Sequence, residues 1–458
     1  MTCERRCTDH LADRRAAPPL IERASPTDVM ELVCDVSGSS MQVAAVLVLE
    51  TSSALDRPQL DLAAVRDAID QRITAAPRLR QRLLDAPWGC GRPVWIDDPG
   101  FDIRNHVGGV GCPAPGDETA MLGVVADTIT RRLPPDRPLW SATLITGLTG
   151  GRSALIVVFH HVLTDGIGGL AVLAELVDGI PAAAATDFPR PPPRGRELFA
   201  DALGARGRAL VHLPAALRRL RAAVAELGSG GTKRLPRSSL NRPIGPRRAL
   251  AVARADLAAV RAAAHAHGAT INDVVLAAVT GALRAMLHER GETVDRFVVS
   301  VPVSARREAS ATELGNRVGV TPVDIPATGE PTRRLARIAG VTRKRKTAAP
   351  GSSAALIGPV FRALAKVGAY GWFVNRQRMV NTFVTNLRGP DEHLAFLGAP
   401  VTGVIPLSGI SGNVTVAFAA LSYAGTLTVT VIADPERCPD VPVLCSALQR
   451  ELDVLTGR

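Results

Sequence analysis

The chain has 458 residues, enough for about two to four domains of ordinary size. With 46% hydrophobic and 21% charged residues it is composed as a folded globular protein, and its 3% aromatic content speaks against a protein that stacks nucleobases on exposed rings, so no nucleic acid is expected as partner. The net charge of +11 implies an anionic counterpart, a phosphate-bearing molecule or an anionic membrane surface, or else an arginine-rich surface with no specific partner.

Residues 1–20 carry charges and lack the apolar core of a secretory signal, which predicts an N-terminal tail on a cytoplasmic protein. No apolar run approaches the ~18 to 20 residues of a membrane span, so none is expected. Cys3, Cys7, Cys34, Cys90, Cys112, Cys438 and Cys445 lack paired C-x-x-C spacing, and neither disulfides nor a metal site is predicted. Cys3, Cys7 and His10 fit a tail better than a ligand set.

Residues 42–49 read as a buried strand and 60–84 as a helix with Arg and Asp among its apolar positions. Residues 153–159 are almost wholly apolar, which predicts an interior strand delivering His160 and His161 at its C-terminal end. Side chains alternate along a strand, so only one of the two histidines is expected to face a substrate. Residues 167–177 have helical periodicity, with Asp165 placed to cap that helix or to pair with a buried arginine. Gly166 suits an unusual backbone angle or a close approach that a Cβ would block.

Pro181, Pro189, Pro191, Pro192 and Pro193 end regular structure and suggest a connector. Beyond it, Leu213, Leu217, Leu220, Val224 and Leu227 recur every three or four residues among Arg218, Arg219 and Arg221, the pattern of a basic amphipathic helix. Such a helix either bridges two domains or lies on an anionic lipid surface.

The second half begins near Arg247, with helices expected at 256–267 and 272–288 and strands at 297–303 and 380–385. A hairpin with one buried face is expected from 414–418 and 426–432 around Tyr423-Ala424-Gly425. The boundaries that follow are a tail at 1–20, a first α/β domain at 21–190, a linker at 191–246 and a second α/β domain at 247–458.

Group transfer to a hydroxyl needs a base for the hydroxyl proton, and imidazole titrates near neutral pH. His265 and His267 sit in a polar helical context where exposure is expected, which turns attention to His160 and His161. No G-x-S-x-G elbow and no supported cysteine is present, so no acyl-enzyme is required. Thr270 with Asp273 fits a capping box, while Asn272 is a candidate donor to an oxyanion. Pro138-Leu139-Trp140 cannot exchange a proton and reads as scaffold.

His160-His161-x-x-x-Asp165-Gly166 resembles the HHxxxDG signature of acyl-CoA-dependent acyltransferases with the chloramphenicol acetyltransferase-like fold. From about Ile21 onward the chain resembles the bacterial wax ester synthase/diacylglycerol acyltransferase family. The resemblance is carried by Ser25-Pro26-Thr27-Asp28, Arg80-Gln81-Arg82-Leu83, Gly91-Arg92-Pro93-Val94-Trp95, Pro138-Leu139-Trp140, Asn241-Arg242-Pro243-Ile244 and Ile271-Asn272-Asp273-Val274-Val275-Leu276. Thr385-Asn386-Leu387-Arg388-Gly389-Pro390 departs from a family segment reading more like S-N-V-P-G-P, so a different local turn is expected there.

The resemblance implies two chloramphenicol acetyltransferase-like α/β domains joined by a helical linker, with the active site in a tunnel between them. It implies acyl-CoA as substrate with no bound cofactor, and diacylglycerol or a long-chain alcohol as acceptor. His161 would be the catalytic base, and Arg306, by similarity to related transferases, the partner of Asp165. Peripheral contact with an anionic membrane or lipid inclusions would bring the protein to its acceptor. Two alternatives remain: a carrier-protein donor with a glycolipid or polyketide hydroxyl as acceptor, and a non-catalytic protein that coats lipid surfaces.

Overall fold

The computed structural model describes residues 21–35, 41–51, 60–164, 166–179, 188–211, 214, 218, 221, 238–304, 318–347, 361, 364–365 and 367–458. The first helix, α1 (Pro26–Cys34), is set by a capping box in which Ser25 and Asp28 satisfy each other's backbone N–H groups, with Pro26 preorganised in the first turn. Strand β1 (Gln42–Glu50) follows, then α2 (Leu62–Arg72), capped by Asp61.

The helix expected over 60–84 is shorter. Past Arg72 the chain tightens into 3₁₀ turns, the second of them starting at Pro77, which has no N–H to continue a helical ladder. Residues 81–84 form strand β2 (Gln81–Leu84), antiparallel to β3 (Val94–Asp97) in a small separate sheet. Helical periodicity over 60–84 was misleading because four residues of a strand are too few to show their own period.

The next elements are β4 (Val107–Gly111), α3 (Glu118–Thr130), β5 (Trp140–Leu148), β6 (Arg152–His160), α4 (Gly166–Leu176) and α5 (Gly195–Val211). Helix α5 packs back on the small sheet through Leu198, beside Cys90, Val94 and Ile96. The second half supplies β7 (Ala249–Asp256), α6 (Leu257–Ala266), α7 (Ile271–Glu289), β8 (Arg296–Ser304), β9 (Val318–Pro326) and α8 (Pro331–Thr347). It ends with α9 (Tyr370–Val374), β10 (Thr382–Arg388), β11 (Ala395–Phe396), β12 (Ala399–Leu407), β13 (Val416–Tyr423), β14 (Thr426–Ala433) and α10 (Val441–Thr456).

Two six-stranded sheets result, in the orders β11-β12-β1-β6-β5-β4 and β7-β14-β13-β10-β8-β9. Strand β12 comes from the second half of the chain yet lies antiparallel on β1, with Ala44 opposite Leu407 and Val48 opposite Gly403. The first sheet is therefore completed by residues more than 350 positions downstream, and the halves are tied by backbone pairing as well as by packing.

The hairpin of β13 and β14 turns at Ala424 and Gly425, both with positive φ, as a two-residue turn requires. Both faces of β13 are buried, where one was expected. Val416, Phe418 and Ala420 face the core of the second half, while Ala417 and Ala419 join Ile432 against Val46, Ile156 and Val158 of the first sheet. Helix α3 contributes Met121, Val125 and Ile129 to this shared core.

Helix α7 is long and apolar enough to cross a membrane by composition, but 72% of its most apolar window is buried within the fold, where it serves as the core helix of the second half.

Candidate active site

Strand β6 lies between β1 and β5 and is buried from Ser153 to His160. Its end is fixed by backbone bonds: the His160 N–H donates to Leu139 O at 2.9 Å and the His161 N–H to Met41 O at 2.7 Å. The chain then turns, with the Leu163 N–H donating to His160 O at 2.9 Å. Hydrogen bonds from both flanking segments thus hold the two histidines at one place.

The His160 ring is 4% exposed and its two nitrogens have different surroundings. Nδ1 accepts the Val162 N–H at 3.1 Å, which leaves the ring proton on Nε2, 3.6 Å from Oδ2 of Asp35. The other carboxylate oxygen of Asp35 lies 3.6 Å from Arg132. Burial pushes the Asp35 carboxyl up, but the neighbouring His160 ring and Arg132 outweigh it and hold the group below the usual carboxylate range. His160 is oriented on both sides, and its role in the geometry is to shape the turn that carries His161.

His161 lies just past the strand and is half-buried. A second carboxyl approaches from α1: Glu31, 6% exposed, within electrostatic range of both His161 and His160. Burial pushes Glu31 well up, and the two histidines only partly offset it. One turn further along α1, the Cys34 thiol shares a hydrogen bond with Tyr370 of α9 and is pushed up to about 12, chiefly by burial. Helix α1 thus bridges the histidine turn and the second half. Sequence reading missed Asp35, Glu31 and Tyr370, and the available signal was the acidic positions Asp28 and Glu31 on a helix that must bury one face, with Asp35 directly after it.

Gly166 opens α4 against the second half. A Cβ at this position would stand 3.0 Å from both terminal methyls of Leu387 on β10, so the glycine permits a close approach of the two halves. Asp165 and Arg306 lie outside the described residues, so their pairing is not visible, and nor is an Asp165 cap on α4.

At the start of α7, Thr270 and Asp273 form the expected capping box, and the other Asp273 oxygen accepts the Thr342 hydroxyl at 2.8 Å. Asp273 is committed to structure. Asn272 is half-buried beside Ile271, which lines a cleft of about 340 Å³.

Pro138-Leu139-Trp140 behaves as scaffold: Trp140 is 1% exposed, donates its indole N–H to Leu79 O at 2.7 Å, and stacks on His106. His106 in turn is held by Trp140 O through Nδ1. Among the described residues, no three His, Cys, Asp or Glu side chains cluster as metal ligands.

Comparison with known proteins agrees with this architecture. The wax ester synthase/diacylglycerol acyltransferase catalytic domain model matches residues 24–275, and the C-terminal domain model of the same family matches 314–456. The chain is 30% identical over 421 residues to a probable diacylglycerol O-acyltransferase of Mycobacterium tuberculosis, covering 88% of this chain and 90% of that protein. Among solved structures it is similar to the wax ester synthase/diacylglycerol acyltransferase of Marinobacter aquaeolei, at 22% identity and a TM-score of 0.69, covering 95% of this chain and 100% of that one. It is also similar to the first condensation domain of the CDA synthetase, at 17% identity and a TM-score of 0.61 over 96% of this chain and 97% of that one. The α/β fold of two chloramphenicol acetyltransferase-like domains is thereby shown.

Proposed function

The chain belongs to the wax ester synthase/diacylglycerol acyltransferase family, and we propose that it transfers a fatty acyl group from acyl-CoA to the free hydroxyl of diacylglycerol, with long-chain alcohols as further acceptors. The observation that carries this reading is the arrangement at the end of β6. His160 accepts the Val162 N–H on Nδ1 and faces the Asp35 carboxylate across 3.6 Å on Nε2, and His161 stands next to it, half-buried, on a turn fixed from two sides.

In the proposed reaction the acceptor oxygen attacks the thioester carbonyl carbon while the His161 imidazole takes the hydroxyl proton. The tetrahedral intermediate collapses by breaking the C–S bond, the electron pair leaves on sulfur, and the imidazolium returns its proton to the CoA thiolate. No covalent enzyme intermediate is needed. Asn272, at the start of α7, is the proposed donor to the oxyanion, an interaction worth about 3 kcal/mol where such donors have been removed.

The proposed setting is cytoplasmic, with peripheral attachment to a membrane or lipid inclusion. Support comes from Trp88, which is fully exposed, and from Phe199, Leu203 and Leu210 on the outer side of α5, flanked by Arg196, Arg206 and Arg208. The amphipathic segment expected at 213–227 lies outside the described residues except for Pro214, Arg218 and Arg221, which are helical and exposed.

The deciding experiment is thiol release from acyl-CoA with diacylglycerol, monoacylglycerol and a long-chain alcohol as acceptors, for the native chain and for His161→Ala. The variant is expected to lose about 10² to 10⁴ in rate with an unchanged melting temperature. Normal turnover by the variant would remove His161 as the base.

A further inference from the structure

The cleft beside β10 takes no part in the proton transfer at His161. It measures about 340 Å³, with Ile271 and Leu387 as its apolar surfaces and Arg261, Arg388, Asn386 and Ser422 as polar ones. Its wall is formed where β10 runs close to β13. The Gly389 N–H donates to Ser422 O at 2.8 Å, and a Cβ on Gly389 would stand 2.6 Å from that oxygen, so no larger residue fits without displacing the wall.

The charges at the rim are unequal. Asp391 accepts Arg261 on one oxygen at 3.1 Å and Arg388 on the other at 3.0 Å. One carboxylate facing two guanidiniums leaves an excess positive charge, and the two arginine side chains are 51% and 78% exposed. Each guanidinium has five N–H donors in a planar fork, so donors remain for a second anion, and that geometry matches phosphate oxygens.

The cleft is also near the histidine turn. Leu387 lines it and lies so near Gly166 that a Cβ there would stand 3.0 Å from its methyls, and five residues of chain span at most about 18 Å, which bounds the distance from Gly166 back to His161. A flexible arm with a phosphate-bearing head could therefore place its head here and its far end at the imidazole.

We propose that this cleft receives the phosphorylated nucleotide end of acyl-CoA, with Arg261 and Arg388 as phosphate contacts and the pantetheine arm passing Leu387 toward His161. The proposal rests on the acyl-CoA reading above. An anionic phospholipid headgroup offers the same phosphate chemistry, and the test separates the two sources.

The test is calorimetric titration of the full chain with CoA and with dephospho-CoA, which lacks the 3′-phosphate, for the native protein, Arg261→Ala, Arg388→Ala and the double variant. The native chain is expected to prefer CoA, each single variant to lose about tenfold in CoA affinity, and the double variant to bind both ligands alike. Arg388→Lys, which keeps the charge but not the planar fork, should recover part of the loss, whereas Asp391→Asn, which removes only the pairing carboxylate, should leave the preference for CoA over dephospho-CoA in place. Melting curves check that the exposed substitutions leave the fold intact. Native CoA affinity in the variants would overturn the cleft assignment and leave the acyl-CoA reading standing. Failure of the native chain to bind CoA would overturn both. Variants that keep CoA but lose phosphatidylglycerol vesicles would overturn the assignment in favour of a lipid headgroup.

Discussion

The Nε2 of His160 lies 3.6 Å from Oδ2 of Asp35, while its Nδ1 accepts the Val162 N–H at 3.1 Å. The first histidine of the signature is thus a fixed strut between α1 and the turn, and the second is free to differ from it in role.

Removing that strut is expected to act at a distance. His160→Ala leaves the buried Val162 N–H without its acceptor, at a stability cost of about 1 to 3 kcal/mol. The turn that presents His161 then relaxes, and turnover should fall about 10- to 100-fold. Asp35→Asn is the finer probe. The folded carboxyl titrates below its unfolded value, so its contribution to stability is complete above about pH 4 and is lost as the pH falls through the folded value. The difference in melting temperature between the native chain and Asp35→Asn should therefore shrink on acidification below about pH 4. A difference that stays constant through that window would rule out the His160 pairing as the source.

Glu31 predicts the opposite sign. Burial raises its carboxyl above the ordinary value, so the folded state prefers the protonated form and stability declines as pH climbs from about 4.3 through the folded value. Glu31→Gln keeps the shape and removes the titration. It should match the native chain near pH 4 and melt higher at pH 8. Equal melting temperatures at both pH values would mean that the carboxyl is better solvated than its burial suggests.

The parts of this fold that were legible in the sequence are those set by local patterns. The apolar run of β6 ending in His160, the capping box at Thr270 and the hairpin at Ala424-Gly425 each depend on residues within a few positions of one another. The pairing of β12 with β1 was not legible, because nothing in residues 399–407 names a partner some 355 positions away. Asp35 was missed for the same reason: it directly follows α1 with no local pattern to mark it, and only the return of β6 brings His160 to it. Both faces of β13 are buried since the first sheet covers the side that its small Ala417 and Ala419 left looking like a solvent face.

The Gly166 to Leu387 contact can be tested by size. Gly166→Ala brings a methyl to 3.0 Å from two movable methyls, which can yield by a few tenths of an ångström, and should cost about 1 kcal/mol. Gly166→Val, with two further carbons and a stiff χ1, should cost about 1 to 3 kcal/mol and lower turnover as the halves are pushed apart. Leu387→Ala combined with Gly166→Val should restore part of both losses. Strictly additive effects in that double-mutant cycle would show that the two residues do not share the space.

The lipid surface proposed for α5 makes the last prediction. Phe199, Leu203 and Leu210 are spaced by four and seven residues, which puts them on one exposed side of the helix, about a quarter turn from Leu198 and Ala202 on its packed side. Arg206 donates to Gly89 O at 2.6 Å and so ties the loop carrying Trp88 to the same side. Exposed apolar side chains next to arginines that make no ion pair among the described residues favour an anionic interface over either water or a neutral one. Sedimentation with phosphatidylglycerol vesicles should show binding that weakens between low and high ionic strength, and phosphatidylcholine vesicles should bind less. Leu203→Glu should reduce binding at every salt concentration, because it opposes both the apolar and the electrostatic part, whereas Trp88→Ala removes apolar contact alone and should leave the salt dependence as it was. Binding that ignores salt would remove the arginines from the account and leave insertion of Trp88 and the α5 stripe as the whole of the attraction.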